Sequence, residues 1–275
     1  RVNVICQELA RLSISQKIKI TDMQVKNGCY ITPAEADASK EPWTSFDTVN
    51  DRWYGPDKHY WFRTTITVPE SFDGKNLWMR VHAGLDDWDD GRNAKAGEKI
   101  QLDLQSYTGT LHSEFRLLAD LEEHDAKIEE IYYDLIVPMQ GLNRMDEDNK
   151  TRLDLETELT NTINLLDLRK PYSKEFYASI EEAEKYIQEA IYEKMGGWDE
   201  VVATCIGHTH IDVAWLWTID QVRQKSCRSF ATVLKLMEEY PNYHFMSSQP
   251  KLYSFVKERH PEVYEKIRQR VKEGR

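Results

Sequence analysis

Along the chain the spacing of apolar residues changes character twice. Val2, Ile5, Leu9 and Leu12 recur at helical intervals, and Lys17-Ile18-Lys19-Ile20-Thr21 then alternates with period two, which predicts an exposed strand at a sheet edge. Between residues 40 and 105 aromatic and β-branched residues dominate. Tyr60-Trp61-Phe62-Arg63-Thr64-Thr65-Ile66-Thr67-Val68 reads as a strand stopped by Pro69, and Asn76-Leu77-Trp78-Met79-Arg80-Val81 as another, with the turn signal Asp73-Gly74 between them. Ile100, Leu102 and Leu104 alternate with polar residues, and Phe115 to Leu121 reads as one further strand. Several short strands punctuated by turns predict a β-sandwich over residues 1–124.

From about residue 125 the period becomes 3.6. Ile128, Ile131, Leu135 and Leu142 mark one helix carrying Pro138, and Leu155, Leu159, Ile163 and Leu166 a second. A third starts at the N-cap Ser173, carries Phe176, Ile180, Ala183, Ile187 and Ile191 on one stripe, and closes at Gly196-Gly197. Residues 125–197 therefore read as a helical connector. From 198 to 275 the rhythm is βαβα. Val201 to Gly207 is a continuous apolar run of the kind a buried parallel strand uses. A helix follows the capping-box pattern Thr218-Ile219-Asp220-Gln221 and stops at Pro241, Tyr243 to Ser248 is the next strand, and helix resumes after Pro250. That order opens an α/β sheet or barrel.

Charge narrows the field of partners. With 36 Lys+Arg against 47 Asp+Glu the chain carries −11 and has no basic tract, which excludes nucleic acid as a main partner. At 40% hydrophobic and 30% charged residues it can bury a core. No run of 18 apolar residues and no signal-peptide pattern occurs, so neither a membrane span nor export is expected, and the cytoplasm is the default location. Cys6, Cys29, Cys205 and Cys227 are widely scattered and read as reduced thiols. The start at Arg1 without Met and the end in mid-pattern at Gly274-Arg275 read as a piece of a longer protein.

One stretch carries chemistry: Gly207-His208-Thr209-His210-Ile211-Asp212-Val213-Ala214-Trp215-Leu216-Trp217. It lies where the apolar strand ends, and in α/β sheets and barrels ligands bind at the carboxyl ends of strands. If strand geometry continues through it, period two puts His208, His210 and Asp212 on one side, as part of a divalent metal site. The bland alternative is a set of satisfied polar residues at a strand end. Trp215 offers a flat face for a sugar ring, whereas Trp217 reads as core.

His208 to Trp217 resembles the start of the catalytic domain of glycoside hydrolase family 38, the α-mannosidases, in its bacterial and cytosolic branch. The similarity continues through Arg228 to Leu234, Leu236 to Pro241, Ser248-Gln249 and Leu252-Tyr253, with weaker marks at Tyr60 to Arg63 and Tyr132 to Leu135. The resemblance implies a mixed α and β fold: an N-terminal β-sandwich, the helical connector, then the first βαβα units of an α/β-barrel-like catalytic domain. It also implies a retaining glycosidase that removes terminal non-reducing α-D-mannose from oligosaccharides with one divalent ion, Zn2+ being the best fit. His210 and Asp212 match the family's first metal ligands, Asp212 and Trp215 its sugar contacts, and His208 a supporting position beside the metal. A retaining mechanism needs two carboxyl groups about 5–5.5 Å apart. The family's nucleophile and a later His ligand lie further along than residue 275 and the general acid is not assignable, so this piece alone is expected to be inactive and to bind metal weakly.

Two rival functions stand beside this one. An amidohydrolase-type metal hydrolase also carries H-x-H at a strand end, and a carbohydrate-binding or assembly fragment would need only residues 1–195. The mannosidase reading expects a mannose-containing oligosaccharide as partner and no membrane contact, and leaves homo-oligomerisation open. Asp86, Asp87, Asp89 and Asp90 read as a solvated turn rather than a calcium site, and the passage from Asp86 to Gly97 is shorter than the family's hairpin. Glu122-Glu123 with Asp125, and Glu181-Glu182 with Glu184, read as solvent faces or entries of helices. Trp43, Trp53, Tyr54, Tyr60 and Trp61 read as sandwich core rather than a carbohydrate surface.

Overall fold

Strands that are apolar on one face gain stability by covering that face, and the first part of the chain does so with two sheets. The computed structural model describes residues 1–83, 86–93 by their strand pairing alone, 95–109, 112–195, 203–215 and 217–275. The strands are β1 (Ile14–Lys19), β2 (Asp22–Asn27), β3 (Thr44–Asp47), β4 (Trp53–Tyr54), β5 (His59–Thr67), β6 (Asn76–Ala83), β7 (Asp86–Asn93), β8 (Lys99–Tyr107), β9 (Glu114–Phe115) and β10 (Leu117–His124). One sheet runs β1-β10-β6-β7 and the other β3-β2-β5-β8, all antiparallel, with β4-β9 as a short separate pair. Met23, Phe46, Phe62 and Ile66 from the second sheet share one core with Leu77, Met79, Val81, Leu117, Ala119 and Leu121 from the first. That shared core is what makes the two sheets a sandwich.

The helices gather separately. α1 (Val2–Leu12) supplies Cys6, Leu9 and Leu12 to a core with α3 (Ala126–Leu142), α4 (Lys150–Leu165) and α5 (Lys174–Ile187), while the short α2 (Pro33–Ala38) starts at the Thr32 cap. Asp125, Asn149 and Ser173 each cap a helix with a side-chain acceptor, and α3 runs through Pro138. A π-helical segment, Gln188–Glu193, extends α5; Gly196-Gly197 lie outside the described residues. The chain divides into two compact units, 1–197 and 198–275, so the helices of 125–197 share a unit with the sandwich.

The second unit contains β11 (Gly207–His208), α6 (Ile219–Glu239), β12 (Phe245–Met246), α7 (Pro250–Arg259) and α8 (Pro261–Lys272). β11 and β12 pair in parallel across α6. Ile211, Val222, Phe230, Leu252, Phe255 and Val256 form the core. Among the described residues this one short pair is what the unit holds of an α/β sheet.

Val201-Val202 lie outside the described residues, and Ala203 to Ile206 are exposed coil rather than buried strand, leaving Gly207–His208 as the strand. A buried parallel strand needs neighbours along its length, and here two residues of β12 are the partner. The acidic run at 86–90 is not a turn: it belongs to β7, the sheet edge beyond β6, where charge suits a strand that must not pair further. Whether its side chains could bind calcium lies outside the described residues, as does Ala94. The strand expected at 115–121 is β9 plus β10, broken at Arg116.

Glu122 and Glu123 are not a helix entry. Both sit in β10, buried, with Glu122 paired to Lys17 (2.9 Å) and His124 (3.3 Å) and Glu123 to Lys75 (2.9 Å) and Gln16 (2.7 Å). The strand continues to His124 before Asp125 caps α3, so the acidic pair is held in the sheet. Among the aromatics, Trp53 and Trp61 are core, Trp43 and Tyr60 are half-buried, and Tyr54 is exposed.

Candidate functional site

The segment that follows β11 is fixed from both ends. Gly207 donates its backbone N–H to the His244 carbonyl (2.8 Å), and a Cβ at this position would run into the ring of Tyr243. Glycine is the residue that lets the two segments approach so closely. The ring of His208 then bonds through Nδ1 to the Met246 carbonyl (2.9 Å). A carbonyl only accepts, so Nδ1 carries the proton. His208 thereby ties β11 to the end of β12.

Strand geometry stops at His208, so the expected continuous alternation does not carry the site. Ile211 does this work instead. Its side chain is fully buried in the second unit's core, and burying such a side chain contributes about 1.5–3 kcal/mol. His210 and Asp212, on either side of it, remain on the solvent side, with His210 Nε2 2.8 Å from Asp212 Oδ1. Trp217 donates its indole N–H to the Asp212 carbonyl (3.1 Å), and Lys225 lies over its ring at 4.6 Å. Trp217 is half-buried at the edge of the core, while Leu216 lies outside the described residues. Between them Ala214 takes a left-handed φ of 59° and Trp215 projects outward at 67% exposure, its ring edge-on to Trp217 at 5.7 Å. Thr218 closes the segment with a full capping box to Gln221.

The donor set can be tested against a divalent ion. Zinc bonds of about 2.0–2.2 Å would hold a nitrogen and an oxygen roughly 3.0–3.5 Å apart, a few tenths of an ångström wider than the present pair. Imidazole with carboxylate suits zinc and neighbouring metals. Among the described residues, no third His, Cys, Asp or Glu completes a cluster with these two. The pair fits as part of a metal site, with coordination positions left over.

Sequence reasoning found His208, His210, Asp212 and Trp215, and the structure brings His210 and Asp212 into contact while His208 turns to β12. It missed the roles of Gly207, Tyr243 and the Met246 carbonyl. Nothing in a sequence signals contacts made across 36 residues of intervening chain.

A model of the glycosyl hydrolases family 38 N-terminal domain matches residues 200–275, the stretch that holds this geometry. Through that stretch the chain is similar to glycosyl hydrolase family 38. Alpha-mannosidase G of Dictyostelium discoideum is 27% identical to this chain over 270 residues, covering 83% of the chain and 24% of that protein. Alpha-mannosidase 2C1 of Homo sapiens is 26% identical over 247 residues, covering 76% of the chain and 23% of its own length. An alpha-mannosidase of Saccharomyces cerevisiae is 34% identical over 101 residues, 36% of the chain and 9% of that protein. The chain thus spans about a quarter of the length of the first two of these relatives. Among the described residues no helix is long and apolar enough to cross a membrane.

Proposed function

We propose that this chain supplies the first metal ligands and the sugar platform of a retaining α-mannosidase that removes terminal non-reducing α-D-mannose from oligosaccharides. The observation that carries this reading is the contact between His210 and Asp212 beside the outward indole of Trp215, inside the family 38 stretch. In this reading His210 and Asp212 hold one divalent ion, Zn2+ by preference. When bound, the ion supplies positive charge to grip vicinal hydroxyls of a distorted mannose ring, so that binding energy offsets the strain. Asp212 can in addition accept a hydrogen bond from a sugar hydroxyl. Trp215 stacks against the apolar face of the ring, and Trp217 keeps Asp212 in place by holding its carbonyl. His208 fixes the strand end beneath them. The nucleophile and the acid/base carboxyl are assigned to no residue of this chain, so residues 1–275 alone are expected to lack activity. The α/β-barrel-like reading of 198–275 belongs to the same proposal, as does a cytoplasmic location.

The test has two arms. Titrating the 275-residue chain with Co2+ or Zn2+ should show weak binding that His210→Ala and Asp212→Ala abolish. In the longer polypeptide carrying this sequence, hydrolysis of an aryl α-D-mannoside should fall on chelation, return with added metal, and drop at least a hundredfold in His210→Ala. Activity indifferent to chelator and variant would remove the metal from the mechanism. Cleavage of a cyclic amide without action on the mannoside would favour the amidohydrolase reading.

A further inference from the structure

The described residues between His208 and Ile219 form neither helix nor strand, and the segment turns through the left-handed Ala214. That conformation costs free energy in a residue with a Cβ, and it persists where the surroundings over-determine it. Part of the hold is internal: the Trp217 indole N–H donates to the Asp212 carbonyl and closes the segment into a loop (3.1 Å). One bond made through one atom still lets a flat ring tilt about it. A contact on the face of the indole is what removes that freedom.

Lys225 makes this contact. Its ammonium lies 4.6 Å from the centroid of the Trp217 ring, within reach of a cation–π attraction, for which Trp is the best aromatic partner. Lys225 stands in the second turn of α6, and helical side chains lean toward the N-terminus, so its stem reaches back over the start of the helix. The turn that carries it is firmly seated. Thr218 and Gln221 cap its start, Val222 is fully buried, and the Ser226 hydroxyl donates to the Val222 carbonyl (2.6 Å). Lys225 itself is half-buried, and among the described residues its ammonium makes no hydrogen bond or ion pair. The Trp217 ring also meets Trp215 edge-on, at 5.7 Å and 82°. Fixing the tilt of Trp217 therefore also fixes the angle at which Trp215 projects.

We propose that Lys225 is a positioning residue: its ammonium, set against the Trp217 ring, keeps the Asp212 backbone and the Trp215 indole in the arrangement that presents His210, Asp212 and Trp215 together. The consequence for binding rests on the reading of His210 and Asp212 as metal ligands, whereas the hold on the ring does not. Two roles for the ammonium predict opposite signs. As a bare charge it repels a metal ion and weakens binding, and as a clamp it strengthens binding by pre-organising the ligands.

The experiment compares the 275-residue chain with Lys225→Met, which keeps the bulk of the stem and loses the charge, and with Lys225→Arg, which returns a cation to the ring. The first readout is the Trp217 indole N–H in a nitrogen–proton NMR spectrum, assigned by its loss in Trp217→Phe. Lys225→Met should shift this resonance and speed its exchange with solvent about three- to tenfold, the scale of one cation–π contact. Lys225→Arg should leave it close to the unchanged chain. The second readout is Co2+ titration followed by absorbance. Lys225→Met should weaken Co2+ binding about three- to tenfold, with most of the loss recovered in Lys225→Arg and the melting temperature nearly unchanged, since Met and Lys have similar helix propensity. Indole exchange indifferent to Lys225→Met overturns the proposal. So does Co2+ binding that stays the same or tightens in that variant, or a loss that Lys225→Arg fails to rescue. If the unchanged chain binds no Co2+, the metal reading fails on its own, and the indole proton alone decides whether Lys225 holds the ring.

Discussion

Single residues set how closely segments approach. Gly207 leaves room for the Tyr243 ring, which occupies the space of a would-be Cβ. Gly207→Ala is therefore expected to destabilise the second unit by about 1–3 kcal/mol, the range for overpacking, and Tyr243→Ala added to it should recover most of the loss in a denaturant titration. A single-variant cost that the second substitution leaves untouched would mean that the ring is not the obstacle. Glu122 is the other decisive residue. Burial pushes its carboxyl up, but hydrogen bonds from Lys17 and His124 and the charges of Arg80 and Lys17 outweigh that and hold it below the usual carboxylate range. A carboxyl lowered in the folded state contributes stability above its unfolded value, near 4.5, and loses it as pH falls through the folded value. Glu122→Gln should cost about 1–3 kcal/mol at pH 7, because Lys17 and Arg80 are partly solvated and tolerate the loss. The gap to the unchanged protein should narrow toward pH 3; a pH-independent difference would assign the cost to shape instead of charge. Neither role was legible beforehand. The acidic pair at 122–123 reads as a solvated helix entry until one sees that Lys17 arrives from a strand more than a hundred residues earlier.

At the scale of elements, signals written in neighbouring residues were the readable ones. The Thr218–Gln221 box, the stop at Pro241 and the Ser173 cap all act within a turn of where they stand, and each helix begins or ends there. Thr218→Ala should cost about 0.5–2 kcal/mol and loosen the start of α6, seen as a lower melting temperature and faster amide exchange at residues 219–222. Unchanged exchange there would show that packing of Val222 alone fixes the helix start. Strands were readable where apolar alternation was strong, as in β5 and β8, and not where partner supply decided. Val201 to Gly207 has the composition of a buried strand, yet pairing is confined to two residues. β7 has the composition of a loop, yet it pairs along eight residues of β6 because an antiparallel hairpin needs little beyond a neighbour.

Taken as a whole, the molecule keeps its candidate chemistry in the smaller unit, 198–275, and most of its buried core in the larger. The β-sandwich expectation is met by two sheets sharing one core, and α1 joins the helical core of residues 125–191 even though 113 residues separate it from α3. Of the candidate site, composition at the strand end revealed His210, Asp212 and Trp215, since H-x-H-x-D with tryptophans is a rare local pattern.

The pairing of β1 with β10 has a consequence in time. Lys17 and Ile18 find their partners at Glu122 and Leu121, so a ribosome must add about a hundred residues before the first strand can be placed. At roughly 5–20 residues per second that is a wait of about 5–20 seconds, during which an alternating Ile-Lys segment is exposed with both edges open. The lysines at 17 and 19 then act as guards: their like charges keep nascent copies from zipping together before Glu122 arrives to claim Lys17.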